Sequence, residues 1–425
     1  MKHVREQLCA ALLAAALPAA GQNPRPADVL DIDRPFDQYL WITAHNAANH
    51  GSLIPNQSID IFRQLQRGVR GLMLDIYERD GRLVTCHADC ASHGRKAPLE
   101  DDLRLVDSFL DTNPDAVVTL HLEDHNTRQA MQAFTRNFPE LFRRSFNPDD
   151  PQWAMHGTAW PTLRELITAD QRLLITSQRA ELSGTYPPSR AYFMHDQAIT
   201  AENYWSLGAT IFTHDPSCRP RWDHVPLNKR GSAYDLPRLF VMNHFHGVPV
   251  RLHSSTDNRL DIVQNRLSTH CLPAAERMPN YLAIDFIERG DMLELAETFN
   301  NGGLLAFADN HAQGNPMCSF STAFDRTWSL VAEPRMGCEN DEIRSLQFRG
   351  ARQGQRITLY DSPEGNQADD YTVIDVLQDI PWESPEFIQT LEQDADTPRL
   401  RVRHHRVNGL DGKVSRIAVR SAGNH

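Results

Sequence analysis

The feature that most constrains this chain is a series of short apolar runs, each ending in polar or charged residues. They are "YLWITAHN" (39–46), "GVRGLMLDIYE" (68–78), "AVVTLHLEDH" (116–125), "RLLITSQ" (172–178), "RLFVMNHF" (238–245) and "NYLAIDFIE" (280–288), with "GGLLAFADN" (302–310) as a weaker seventh. Continuous apolar runs of this length suit strands buried on both faces, which is the habit of parallel sheets. Helical patterns lie between them. "NQSIDIFRQLQR" spaces Ile59, Phe62 and Leu65 for one helix face, with Ser58 as its N-cap and Gly68 as its stop. "LEDDLRLVDSFLDTNP" and "GDMLELAETFNNGG" repeat the pattern. Strand, helix, strand over this span predicts a (β/α) barrel in preference to an open sheet, and in such a barrel functional groups gather where strands end.

The C-terminal quarter has another texture. "NDEIRSLQFRGARQGQRITLYDSPEGNQADDYTVIDV" and "TPRLRVRHHRVNGLDGKVSRIAVR" alternate apolar and polar residues between Gly- and Asp-rich turns, the pattern of antiparallel β structure. "NDEIRSLQF" and "LDGKVSRIAV" are alike enough to be two copies of one unit, and the segment resembles a βγ-crystallin-type module. Arg344 stands where a hydroxyl side chain would complete a calcium clamp of that type, so a structural or targeting role is expected. The expected organisation is residues 1–21 as a signal peptide, 22–322 as the barrel and 323–425 as an all-β domain.

The signal peptide rests on "MKHVREQLCAALLAAALPAAGQ": a basic start, an apolar stretch too short to span a bilayer, then small residues. It predicts a secreted or periplasmic protein. Export makes cysteines readable as a framework. Six of the seven remain after Cys9, and sequence order suggests 86–90, 218–271 and 318–338, although six cysteines allow about fifteen pairings. A net charge of -12 with no basic run excludes nucleic acid and electrostatic docking on an anionic membrane.

His45, Asn46, Asp75, Tyr77, His87, Glu123, Asn243 and Asp285 all fall at or just beyond predicted strand ends. "TAHN", "NQSIDIFRQLQRGVRGLMLDIYERDGRLVTCHAD", "VVTLHLEDH" and "NYLAIDFIERGDMLELAETFNNG" together resemble the catalytic X domain of phosphatidylinositol-specific phospholipase C, above all its secreted bacterial and fungal forms, over about residues 35–310. The resemblance implies a distorted TIM (β/α)8 barrel and cleavage of a phospholipid headgroup diester by two histidines. His45 matches the general base and His87 the general acid; a pKa near ~6.5 lets an imidazole do either. It further implies a calcium ion, or another divalent cation, on Asn46, Asp75 and Glu123. Tyr77 replaces the arginine that metal-independent relatives carry there, and Met73 replaces one ligand glutamate. Asp285, Tyr77 and Asn243 are expected to bind substrate, Asp285 alternatively to brace a histidine. A Cys86–Cys90 disulfide would hold the loop carrying His87. The expected partners are a phospholipid or other phosphodiester and, transiently, a membrane surface, with the protein a monomer. Two further readings stay open: a glycerophosphodiester or sphingolipid-type substrate on the same barrel, and an inactive secreted lipid- or glycan-binding protein.

Overall fold

The structure is a computed structural model that describes residues 29, 31–87, 90, 95–210, 212–332 and 338–422. The expected signal peptide lies outside the described residues. Eleven strands form the first sheet: β1 (Trp41–Ala44), β2 (Gly71–Arg79), β3 (Arg82–Cys86), β4 (Lys96–Pro98), β5 (Val118–His125), β6 (Leu173–Ser177), β7 (Gly184–Thr185), β8 (Tyr192–His195), β9 (Thr200–Glu202), β10 (Leu239–Asn243) and β11 (Tyr281–Ile284). Eight of them run parallel in the order β8-β6-β5-β2-β1-β11-β10-β9. The sheet curls into a half-barrel. Among the described residues no ladder joins β8 to β9, so the barrel stays open on that side. These two strands went unread in the sequence because four and three residues carry almost no periodicity.

Side-chain alternation explains how the sheet serves both a core and a cavity. Along β2, Leu72, Leu74 and Ile76 are buried under the outer helices, while Met73, Asp75 and Tyr77 take the other face. The parallel register with β5 sets Met73 beside His121, Asp75 beside Glu123 and Tyr77 beside His125. Polar residues of two strands thus form one patch. Gly71 lets β1 and β2 approach at the start of this patch, since a Cβ there would sit 2.2 Å from Thr43 Oγ1.

Helices Leu99–Thr112 and Met292–Asn301 form where the periodicity places them. The helix Ile61–Gln66 starts later than expected: Asp60, not Ser58, is its N-cap, accepting from Arg63 N at 2.9 Å. The Ser58 hydroxyl instead donates to Glu288.

The weaker seventh run is not a barrel strand. Gly303–Phe307 pairs antiparallel with Cys318–Ser321 and Ser345–Arg349 in a four-stranded sheet completed by Glu386–Ile388. The backbone turns away from the barrel at Gly302 (φ +88°), where a Cβ would meet the Gly350 carbonyl oxygen at 2.1 Å. The all-β unit therefore begins before the boundary expected at 323. A six-stranded antiparallel sheet, Arg326–Ser329 to Arg416–Arg420, completes it, and its apolar residues form a core of their own. Arg326 joins the two units, pairing with Glu294 and Glu297 of the helix Met292–Asn301, each at 3.2 Å.

The three disulfides are Cys86–Cys90, Cys218–Cys271 and Cys318–Cys338, the pairing that sequence order suggests. Among the described residues no helix is long and apolar enough to cross a membrane.

Candidate active site at the barrel mouth

β1 ends at Ala44, and the next two residues are steered by backbone contacts. His45 N donates to the Ile284 carbonyl on β11 at 3.0 Å, while Gln57 Nε2 donates to the His45 carbonyl at 2.9 Å. Asn46 then adopts a left-handed conformation (φ +44°), which asparagine tolerates better than most residues. The His45 ring is pinned on two sides. Its Nδ1–H donates to Asp285 Oδ1 at 2.9 Å, and its face stacks on Phe245, with centroids 3.5 Å apart and planes within 8°. Asp285 is buried and also accepts from Asn56 Nδ2 at 2.9 Å. This bond assigns the proton to Nδ1 and leaves Nε2 as the basic atom.

His87 lies just past β3 in the loop that the Cys86–Cys90 disulfide closes. It lines the same cavity as His45, a space of about 290 Å³ also bounded by Asn46, Asp75, Glu123 and Arg221. Burial first, then the charge of His45, holds the His87 imidazole below its ordinary value near 6.5, against the opposite pull of Asp285 and Glu123. Two imidazoles thus meet in one space, one braced by a carboxylate and the other biased toward losing its proton.

Among the described residues the cation that lines this cavity is Arg221, which the sequence reading missed. It comes from the long segment between β9 and β10 and bridges two carboxylates, Glu123 Oε1 at 2.7 Å and Glu202 Oε1 at 2.8 Å. Burial opposes its charge, but Glu202 and Glu123 outweigh that and hold the guanidinium above its ordinary value. Asn243 Nδ2 donates to the same Glu202 oxygen at 2.7 Å. Near this group Asp196 is pushed up to about 8, by burial and then by Glu202, and is therefore protonated at neutral pH. No motif marks Arg221, Glu202, Asp196 or Phe245; only the approach of distant segments reveals them.

The expected substrate contacts divide. Tyr77 lines the cavity, with its ring stacked on His125 at 4.3 Å. Asn243 borders it but spends its amide on Glu202 and the Asn203 carbonyl. Of the two roles expected for Asp285, the geometry matches the brace: it sits behind His45 with 1% exposure and accepts from the imidazole.

Asn46, Asp75 and Glu123 border one cavity, as a shared cation requires. The arrangement nevertheless falls short of calcium, which takes about six to eight oxygens. Glu123 is committed to Arg221, Met73 stands next to Asp75 on the same face, and a fixed guanidinium repels a dication. Groups of ligand type do converge elsewhere among the described residues, at His214, His246 and Asp257 and at Asp361, Asp369 and Asp370.

Residues 32–300 match the family PI-PLC X 1. The chain is 29% identical over 361 residues to a PI-PLC X domain-containing protein of Arabidopsis thaliana, covering 77% of this chain and 78% of that one. It is 25% identical over 284 residues to PI-PLC X domain-containing protein 1 of Arthroderma benhamiae, covering 63% and 86%. Among solved structures, the phosphatidylinositol-specific phospholipase C from Listeria monocytogenes is similar at 13% identity and a TM-score of 0.39, covering 60% of this chain and 91% of that one. A mutant of the Staphylococcus aureus enzyme is similar at 12% identity and a TM-score of 0.37, covering 62% and 90%.

Proposed function

The chain belongs to the PI-PLC X family, and we propose that it is a phosphodiesterase that cleaves a phospholipid headgroup at the barrel mouth. The observation that carries this reading is His45, braced by Asp285, facing the same cavity as His87 and Arg221. His45 Nε2 takes the proton of a hydroxyl next to the phosphodiester, the inositol 2-hydroxyl in the leading case. That oxygen attacks phosphorus. The bond to the diacylglycerol oxygen breaks as His87 protonates it, leaving a cyclic inositol phosphate. Arg221 offers positive charge to the phosphoryl oxygens, a role that preorganised cations fill well in a cavity shielded from water.

Exposed apolar side chains that follow the strands in the chain support action at a lipid surface: Leu53, Ile54, Trp205, Phe212 and Val248 on loops, and Leu252 on the helix Arg251–Asp257. Three disulfides, and a relative from Arthroderma benhamiae described as an uncharacterized secreted protein (23% identical, covering 72% of this chain), support an extracytoplasmic site. We assign the all-β unit a structural role; its crystallin-like reading rests on its two similar segments.

The test is release of water-soluble phosphate ester from phosphatidylinositol, a glycerophosphodiester and a sphingophospholipid in parallel. His45→Ala and His87→Ala should each lower turnover by about 10²- to 10⁴-fold on the preferred headgroup. Unchanged turnover in either variant would sink the mechanism. Binding of lipid with no release from any of the three would favour the non-catalytic reading. A metal-assisted form, with calcium on Asn46, Asp75 and Glu123, requires Arg221 to release Glu123. A rise in rate on titrating calcium into dialysed protein would establish it, and an unchanged rate is the expected result.

A further inference from the structure

Just past Phe245 in the chain, His246 meets a carboxylate that a second histidine also approaches. His246 follows β10 by three residues and is 7% exposed; its Nε2 lies 3.0 Å from Asp257 Oδ2. His214, from the segment between β9 and β10, approaches the other oxygen, Oδ1, with its Nε2 at 3.6 Å. One ligand atom from each of His214, His246 and Asp257 lies within 4.8 Å of the other two. The ring of His253 is 5.2 Å from that of His246, and Nδ1 of both is buried without a hydrogen-bond partner. More imidazole nitrogen is therefore brought together here than hydrogen bonding uses.

An ion-pair explanation accounts for this poorly. Two imidazolium rings held on one carboxylate would repel each other, whereas neutral imidazoles are good metal ligands. Metal–nitrogen and metal–oxygen bonds of about 2.0–2.2 Å put neighbouring ligand atoms of a tetrahedron about 3.4 Å apart. The two His–Asp distances lie on either side of that value. Two nitrogens and one carboxylate oxygen suit a late first-row cation and do not suit calcium, which favours all-oxygen sites. His214 is half exposed, so the site is open to water on that side.

We propose that His214, His246 and Asp257 form a site for a late first-row divalent cation, zinc by preference, separate from the His45–His87 mouth. A bound ion ties the segment between β9 and β10 to the helix Arg251–Asp257 and to the end of β10. It also fixes His246, the neighbour of the residue on which the His45 ring rests. The site needs no substrate, so its test does not depend on the phosphodiesterase reading.

Equilibrium dialysis of the full chain against zinc alone, repeated with cobalt and read by visible absorption, tests it. The expected result is one tight equivalent with the spectrum of nitrogen- and oxygen-bound cobalt. His214→Ala and Asp257→Asn should each weaken it by tenfold or more, and His45→Ala should leave it intact. His214 is half exposed, so its replacement tests the site in a folded protein. Absence of a tight equivalent in the unaltered chain would overturn the proposal. So would an affinity unchanged in both ligand variants, or one lost in His45→Ala and retained in His214→Ala.

Discussion

At the residue scale the site depends on how neighbours set the chemistry of two histidines. Asp285 holds His45 as the tautomer with a free Nε2. Asp285→Asn can place its amide nitrogen toward Nδ1, which favours the wrong tautomer. Turnover should fall on the order of 10²- to 10⁴-fold with little change in melting temperature; a change under threefold would show that the brace is dispensable. His87 must be protonated to act as the acid, and burial holds its pKa below 6.5. The alkaline limb of kcat/KM, which reports the free enzyme, should therefore lie below pH 6.5. Glu123 pulls this pKa upward, so Glu123→Gln should move the limb to still lower pH; a shift the other way would contradict the assignment. Arg221→Ala should reduce kcat by about 10²- to 10³-fold. Lysine should rescue it poorly, because a single ammonium cannot match a planar fork that bridges Glu123 and Glu202. Of these residues, His45, His87, Asp285 and Glu123 stand in readable motifs. Arg221 does not, because its partners lie 98 and 19 positions away in the chain.

At the scale of elements, strand alternation and register do the positioning. Period two turns Met73, Asp75 and Tyr77 inward, and the parallel pairing of β2 with β5 sets Glu123 beside Asp75. His87 has no such support, since it sits on a loop past β3 closed by the Cys86–Cys90 bond. A bond spanning four positions closes too short a loop to contribute much to global stability, yet it restricts the general acid. The double variant Cys86→Ser/Cys90→Ser should lose about tenfold or more in kcat while its thermal midpoint shifts by only a few degrees. A large drop in midpoint with unchanged kcat per folded molecule would refute that division. The short strands β8 and β9 escaped the sequence reading for want of length, yet β9 delivers Glu202, the second anchor of Arg221.

At the scale of the whole molecule, exposed apolar side chains follow β1, β9 and β10 in the chain, while the chain carries a net charge of -12. Binding to a lipid surface should therefore depend on apolar insertion and depend little on salt. Phe212 is 91% exposed. Phe212→Ser should weaken partitioning onto neutral phosphatidylcholine vesicles by about tenfold, roughly 1.4 kcal/mol, a modest part of the burial energy of one aromatic ring. Cosedimentation measures it, and binding that collapses in moderate salt but ignores the substitution would point to an electrostatic contact instead. The all-β unit is held to the barrel through Arg326 on Glu294 and Glu297 and begins at Gly303, ahead of the change in sequence texture near 323. Gly303–Phe307 reads like a barrel strand because both of its faces are buried, and burial is what an apolar run reports; which sheet buries it is a matter of partners.

Local sequence alone determined most of the alternation of strands and helices and the motifs in which His45, His87, Asp75 and Glu123 stand. Each of these is written in contiguous residues, through periodicity, turn chemistry or a short motif. The tertiary structure decided which carboxylate braces His45, which arginine enters the cavity, where the barrel stays open and where the second unit begins. Those outcomes depend on the approach of segments far apart in the chain, and pairwise distance across a fold leaves no trace in the local order of residues.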